Sequence, residues 1–132
     1  MVQPIIRSTY SGAGTFAIQS PLNEEPLNAD TENFKPIDFL IGGYGTCMMG
    51  TMAKVAEQNG FIFSEARTEI GFEPLADMSR IDTIDIKCFI KNGDYTAEQK
   101  QILEDAAKKL CPIGNSLLPD IKRSYEFLYG AE

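Results

Sequence analysis

The sequence predicts an α+β protein, with antiparallel sheets packed around a buried central helix. Three observations lead there. One stretch, Pro36 to Gly60, carries no charge between Phe39 and Met52 and is long enough for a helix of about 20 residues. Two later stretches alternate apolar and polar residues with a period of two. A third region, opened by Thr96-Ala97-Glu98-Gln99, has the period and the start signal of an amphipathic helix. Strands in hairpins with helices set apart make an α+β layer protein.

In chain order, Val2–Tyr10 is rich in β-branched and aromatic residues and Thr15–Gln19 returns beside it, across the turn Gly12-Ala13-Gly14. That G-x-G lacks a following helix and a third glycine, so it reads as a hairpin and not as a phosphate loop. Pro21–Lys35, polar and turn-rich, is a surface loop with room for a short edge strand. The central helix follows. Pro36 suits its first turn, Asp38 puts a negative charge near its N-terminus, and Asn59-Gly60 stops it. A helix with so little polar face should be buried on most sides. Its four glycines each cost about 1 kcal/mol against alanine, which makes sense where another backbone must come close. A single small sheet covers one side only, so a partner subunit should cover the other, and a homodimer is expected.

Within Phe61–Phe72, Ala66, Thr68, Ile70 and Phe72 share one face, with Glu65, Arg67 and Glu69 on the other. Ile84, Ile86, Cys88 and Ile90 repeat the pattern after a turn at Pro74–Arg80. Asn92-Gly93-Asp94 ends that strand. The next helix has the apolar stripe Ile102, Leu103, Ala106, Ala107 and Leu110. Cys111-Pro112 breaks it, Ile113–Leu118 allows one more helical turn, and Ile121–Tyr129 is a last strand with aromatics at 125, 127 and 129. One domain, 1–132, is the natural count.

Composition narrows the function. The 132 residues are 43% hydrophobic and 23% charged, ordinary for a soluble globular chain, with a net charge of -7 and no histidine. An acidic chain without a basic stripe suits neither nucleic acid nor an anionic membrane. No apolar leader opens the chain and the central helix is too interrupted to span a bilayer, so a cytoplasmic protein is expected. Three cysteines do not make a secreted disulfide framework, and without histidine no metal or other cofactor is expected. Cys88 lies on an apolar strand face and reads as core. Cys47, in an uncharged helix, is core or reactive. Cys111 stands before a proline at a helix start, a position that favours a thiolate.

The run Pro36-Ile37-Asp38-Phe39-Leu40-Ile41-Gly42-Gly43-Tyr44-Gly45-Thr46-Cys47 resembles the OsmC/Ohr family, whose long helix carries a reactive cysteine in this setting. Cys111-Pro112-Ile113-Gly114-Asn115-Ser116-Leu117 is similar to that family's second cysteine and its proline. The hairpin Gly12-Ala13-Gly14-Thr15, the capped helix before Cys111 and the final strand also fit, so the likeness covers nearly the whole chain. It implies the OsmC-like fold in an intertwined homodimer, and a thiol peroxidase acting on organic or fatty-acid hydroperoxides. Cys47 would attack the peroxide, Cys111 would close a disulfide on it, and a dithiol reductant would reopen the pair, with no cofactor. Phe39, Tyr44, Met48 and Met49 would line an apolar pocket or simply be core. The chain departs from the family at two points: the turn Ser11–Thr15 has no arginine, the nearest being Arg7, and Ile37 stands where the family has a glutamate, with Asp38 one position later. The alternative is an OsmC-like protein that is no peroxidase and binds a small apolar ligand at the dimer interface.

Overall fold

The structure, a computed structural model, describes residues 3–131. The chain divides into two compact units, Met1–Leu40 and Ile41–Glu132.

The first unit is a three-stranded antiparallel sheet in the order β1-β2-β3, with β1 Arg7–Gly12, β2 Thr15–Gln19 and β3 Leu27–Asp30. The hairpin turn is the one expected. Gly12, Ala13 and Gly14 all have positive φ (90°, 53° and 76°), which glycine takes at no steric cost. The first strand begins at Arg7 and not at Val2. Arg7 pairs with Gln19, where β2 ends, so residues 3–6 have no strand opposite them. Met1 and Val2 lie outside the described residues. The edge strand allowed in the loop is β3. Phe39 closes this unit, stacking edge-on against Phe34 at 4.6 Å and Phe16 at 6.0 Å.

The central helix, α1, is Pro36–Gln58. Lys35 N–H donates to Asp38 Oδ2 at 2.8 Å, so Asp38 acts as a cap on the first turn. Gly60, at φ 81°, ends the run. In the second unit, α1 buries one stripe, Ile41, Tyr44 with its neighbour Gly45, Met48, Met52 and Ala56, recurring every three or four residues. Thr46, Gly50 and Lys54 remain exposed, so within one chain the helix is covered on one side and not on most sides.

The second sheet has the order β4-β5-β6, with β4 Ala66–Pro74, β5 Ile81–Ile90 and β6 Lys122–Tyr129. β4 and β5 are antiparallel in the expected phase: Thr68 faces Cys88, Ile70 faces Ile86, and Ile84, Ile86, Cys88 and Ile90 are buried. β6 departs from an all-antiparallel reading and runs parallel to β5. Parallel neighbours need a long crossover, and the helical segment between the strands supplies it. Gly45 is where α1 meets this sheet. A Cβ there would run into Thr68 Oγ1 and lie 3.3 Å from Ile70 Cδ1.

The crossover opens with α2, Ala97–Asp105, capped as expected: Thr96 Oγ1 accepts from Gln99 N–H at 3.1 Å and Gln99 Oε1 from Thr96 N–H at 3.0 Å. Leu103, Ala106 and Ala107 are buried, but Leu110 is 54% exposed and leaves the predicted stripe. The cause is a π-helical turn, Ala106–Leu110, that continues α2 and breaks its α period. Cys111 follows in extended conformation, and the short helix α3, Pro112–Ser116, begins behind it. Among the described residues no helix is long and apolar enough to cross a membrane.

Candidate functional site

The two candidate cysteines come from different segments of the second unit. Cys47 is half-buried on α1, one turn after Tyr44. Cys111 is 1% exposed at the joint between the π turn and α3. The first turn of α3 lies on α1: Ile113 Cδ1 is 3.8 Å from where a Cβ of Gly43 would be, and Gly114 backs onto the Tyr44 ring. A Cβ on Gly114 would sit 3.0 Å from Tyr44 Cε1 and 3.3 Å from Arg123 Nη1, so the missing side chain is what permits this approach. One helical turn beyond Tyr44, the approach brings Cys111 to Cys47. Cys47 lies near enough to disfavour the charged form of the Cys111 thiol.

The electrostatics of Cys111 correct the expectation from its helix start. Burial raises its pKa, and Cys47 raises it further. The Gly114 N–H, which donates to Cys111 Sγ at 3.5 Å, and the Ile113 N–H pull the other way and do not prevail. α3 is a five-residue helix, so few amides aim at the sulfur, and removal from water outweighs them. Cys88 lies apart in the β5 core, and burial pushes its thiol up to about 11. It is the core cysteine that strand alternation expects.

Beside the thiols stands a cluster that strand reading did not single out. Tyr44 and Tyr125 share a hydroxyl–hydroxyl hydrogen bond of 2.8 Å, and Arg123 Nη1 donates to Tyr44 Oη at 3.3 Å with its guanidinium 5.7 Å from the Tyr44 ring centre. Burial raises the Tyr44 pKa, and the bond to Tyr125 raises it further, so the phenol stays neutral. Burial works against the Arg123 charge, but hydrogen bonds and attraction to Tyr125 and Tyr44 outweigh it and raise its pKa. The signal was present in the sequence: Arg123 shares the strand face of Tyr125, Phe127 and Tyr129, a cation in phase with an apolar stripe.

Other candidates fall elsewhere. Tyr44 and Met48 are fully buried core, not the wall of a pocket. Met49 borders an open cleft of about 330 Å³ with Thr46, Ala53, Phe63 and Ala66. Phe39 belongs to the aromatic cluster of the first unit, where Arg7 also stands, opposite Gln19.

Such a long, glycine-rich helix with a thiol at its middle, crossed by a Cys-Pro turn, defines a class. The chain belongs to the OsmC-like protein family, whose model matches residues 29–126. No curated protein sequence matches it. Among solved structures, a Psychrobacter arcticus protein linked to osmotic stress and detoxification superposes with a TM-score of 0.81 at 20% identity, covering 96% of each chain. An OsmC-like protein of Mycoplasma pneumoniae gives 0.77 at 13% identity, covering 97% of this chain and 99% of that one. The organic hydroperoxide resistance protein OhrB of Bacillus subtilis gives 0.67 at 16% identity, covering 93% and 97%. At these identities the likeness is one of fold.

Proposed function

We propose that the chain is a two-cysteine thiol peroxidase that reduces organic or fatty-acid hydroperoxides. The observation that carries this reading is that the short helix opening behind Cys111 packs on α1 at Gly43 and Tyr44, within one helical turn of Cys47. The family, and the likeness to the organic hydroperoxide resistance protein OhrB of Bacillus subtilis, support it. The Cys47 thiolate attacks the terminal peroxide oxygen and the O–O bond breaks. The alkoxide takes a proton and leaves as an alcohol, and Cys47 becomes a sulfenic acid. Cys111 attacks that sulfur, forming a disulfide and releasing water. A small dithiol then reduces the pair and is itself oxidised, which suits the reducing cytoplasm. Between the two sulfurs, Cys47 takes the attacking role because it is the less buried and Cys111 has its pKa raised.

The working unit in this proposal is a homodimer in which the two compact units of each chain act as a single OsmC-like domain. Within one chain Ile5 is 68% exposed and Tyr10 71%, and the Thr46–Gly50 side of α1 is open. A three-stranded sheet of this size needs more cover than it has. A second reading, an OsmC-like protein that binds a small apolar ligand, has the raised Cys111 thiol and the cleft at Met49 in its favour.

A dimedone-type trap decides. With an organic hydroperoxide present, the Cys111→Ser protein is labelled on Cys47, and the Cys47→Ser protein consumes no peroxide. Labelling of Cys111 at a comparable rate in Cys47→Ser would reverse the roles. No labelling at all, and no peroxide consumed by the natural sequence, would sink the peroxidase reading in favour of the second.

A further inference from the structure

The π turn before Cys111 does something the rest of the crossover does not. In a regular α-helix, seven residues return the chain to within about 20° of the same face. Leu110 lies seven residues after Leu103, which is fully buried, so an uninterrupted α2 would bury Leu110 and turn Cys111 away by about 100°. The observed arrangement is the reverse: Leu110 is 54% exposed and Cys111 1%. The shift arises within Ala106–Leu110. Single π turns inside α-helices are rare, and they are found often at functional sites.

The helix ends at Leu110, so its last carbonyls have no partner within it, and one of these is held from outside. Asn115 Nδ2, on α3, donates to the Lys109 carbonyl at 3.0 Å. The same residue's backbone N–H donates to the Cys111 carbonyl at 2.9 Å, so Asn115 ties both flanks of the cysteine together. Asn115 is itself exposed.

We propose that the π turn is a register device with two settings, and that Asn115 is the positioning residue that holds the one presenting Cys111 to Cys47. In the other setting the turn relaxes to α-helix, Leu110 enters the core and Cys111 swings away. The device rests on the proposed two-cysteine reading only in that it concerns the same pair.

The test uses glutathione buffers, which report on the pair without any peroxide. One glutathione disulfide becomes two glutathione thiols as Cys47 and Cys111 lose two electrons and two protons to form their bond. Mass mapping gives the equilibrium constant. Asn115→Asp keeps the shape but loses the donor. The constant should fall at least tenfold, and Cys111 should react with iodoacetamide at least tenfold faster, while circular dichroism shows the fold retained. Leu110→Gln, which removes the apolar reward of the other setting, should recover at least threefold of that loss in the Asn115→Asp background. Asn115→Ala repeats the measurement should the added carboxylate itself disturb α3. A constant within twofold of the natural sequence in both Asn115 variants would overturn the proposal, as would failure of Leu110→Gln to recover anything. Absence of any Cys47–Cys111 disulfide in the natural sequence at every glutathione ratio would overturn it too. A normal disulfide equilibrium with no peroxide consumed would leave the device standing and remove the peroxidase.

Discussion

Gly45→Ala tests how α1 is seated, because the site depends on α1 lying close to β4. In isolation the substitution should help: alanine in a helix interior is better than glycine by about 1 kcal/mol. The new methyl, however, would meet Thr68 Oγ1 well inside van der Waals contact, with Ile70 Cδ1 at 3.3 Å. Thr68 is β-branched and stiff, so the helix must move outward, and overpacking of this kind costs about 1–3 kcal/mol. The net expectation is a loss of roughly 0–2 kcal/mol, centred near 1. Removing the obstacle should change the sign. In a Thr68→Ala background the flexible Ile70 tip at 3.3 Å and the retained Cβ of residue 68 at 3.5 Å are the near atoms, neither a hard clash, and Gly45→Ala should stabilise by roughly 0.5–1 kcal/mol. The coupling between the two positions is then about 0.5–3 kcal/mol, centred near 1.75. Urea unfolding of the four proteins of the cycle, at one protomer concentration, reads it. Effects that add to within about 0.5 kcal/mol would refute the claim that the glycine is there for this approach.

Cys88, with its thiol pushed up to about 11, should resist iodoacetamide in the folded protein at pH 8 while Cys47 reacts. The same shift makes folding pH-dependent: the unfolded thiol ionises first, so stability is whole below about pH 8.5 and falls by up to about 1.4 kcal/mol per unit as pH rises towards 11. Cys88→Ala should flatten that fall in an unfolding series over this range, and an unchanged slope would contradict the burial argument. Sedimentation at micromolar concentration should give twice the 14.6 kDa chain mass, and a stable monomer would remove the partner-covered helix from the account.

Much of the fold was legible because local signals and packing agree. The capping residues of α2 and the alternation of β4 and β5 each follow from a rule that needs no neighbour. Other features depend on contacts the sequence does not display. Leu110 has the period of a buried residue, yet a π turn sets it outside. Tyr44 and Met48 look equally fit for a pocket or a core; both are fully buried, and Tyr44 is covered by Gly114, Arg123 and Tyr125, which only folding brings to it. β6 could have paired either way until the crossover fixed it parallel. For Cys111 the sequence shows the proline and the helix start but not the burial that outweighs them. Arg123 was visible as a charge in an apolar stripe, but its tyrosine partners lie 79 and 2 positions away and only folding brings the first.

The most direct measurement is a count of thiols. The described chain holds three free cysteines. One equivalent of a bulky organic hydroperoxide at neutral pH should leave about one thiol per chain, with mass mapping placing it on Cys88 and linking Cys47 to Cys111. Three thiols remaining after prolonged exposure, or a disulfide that includes Cys88, would contradict the account.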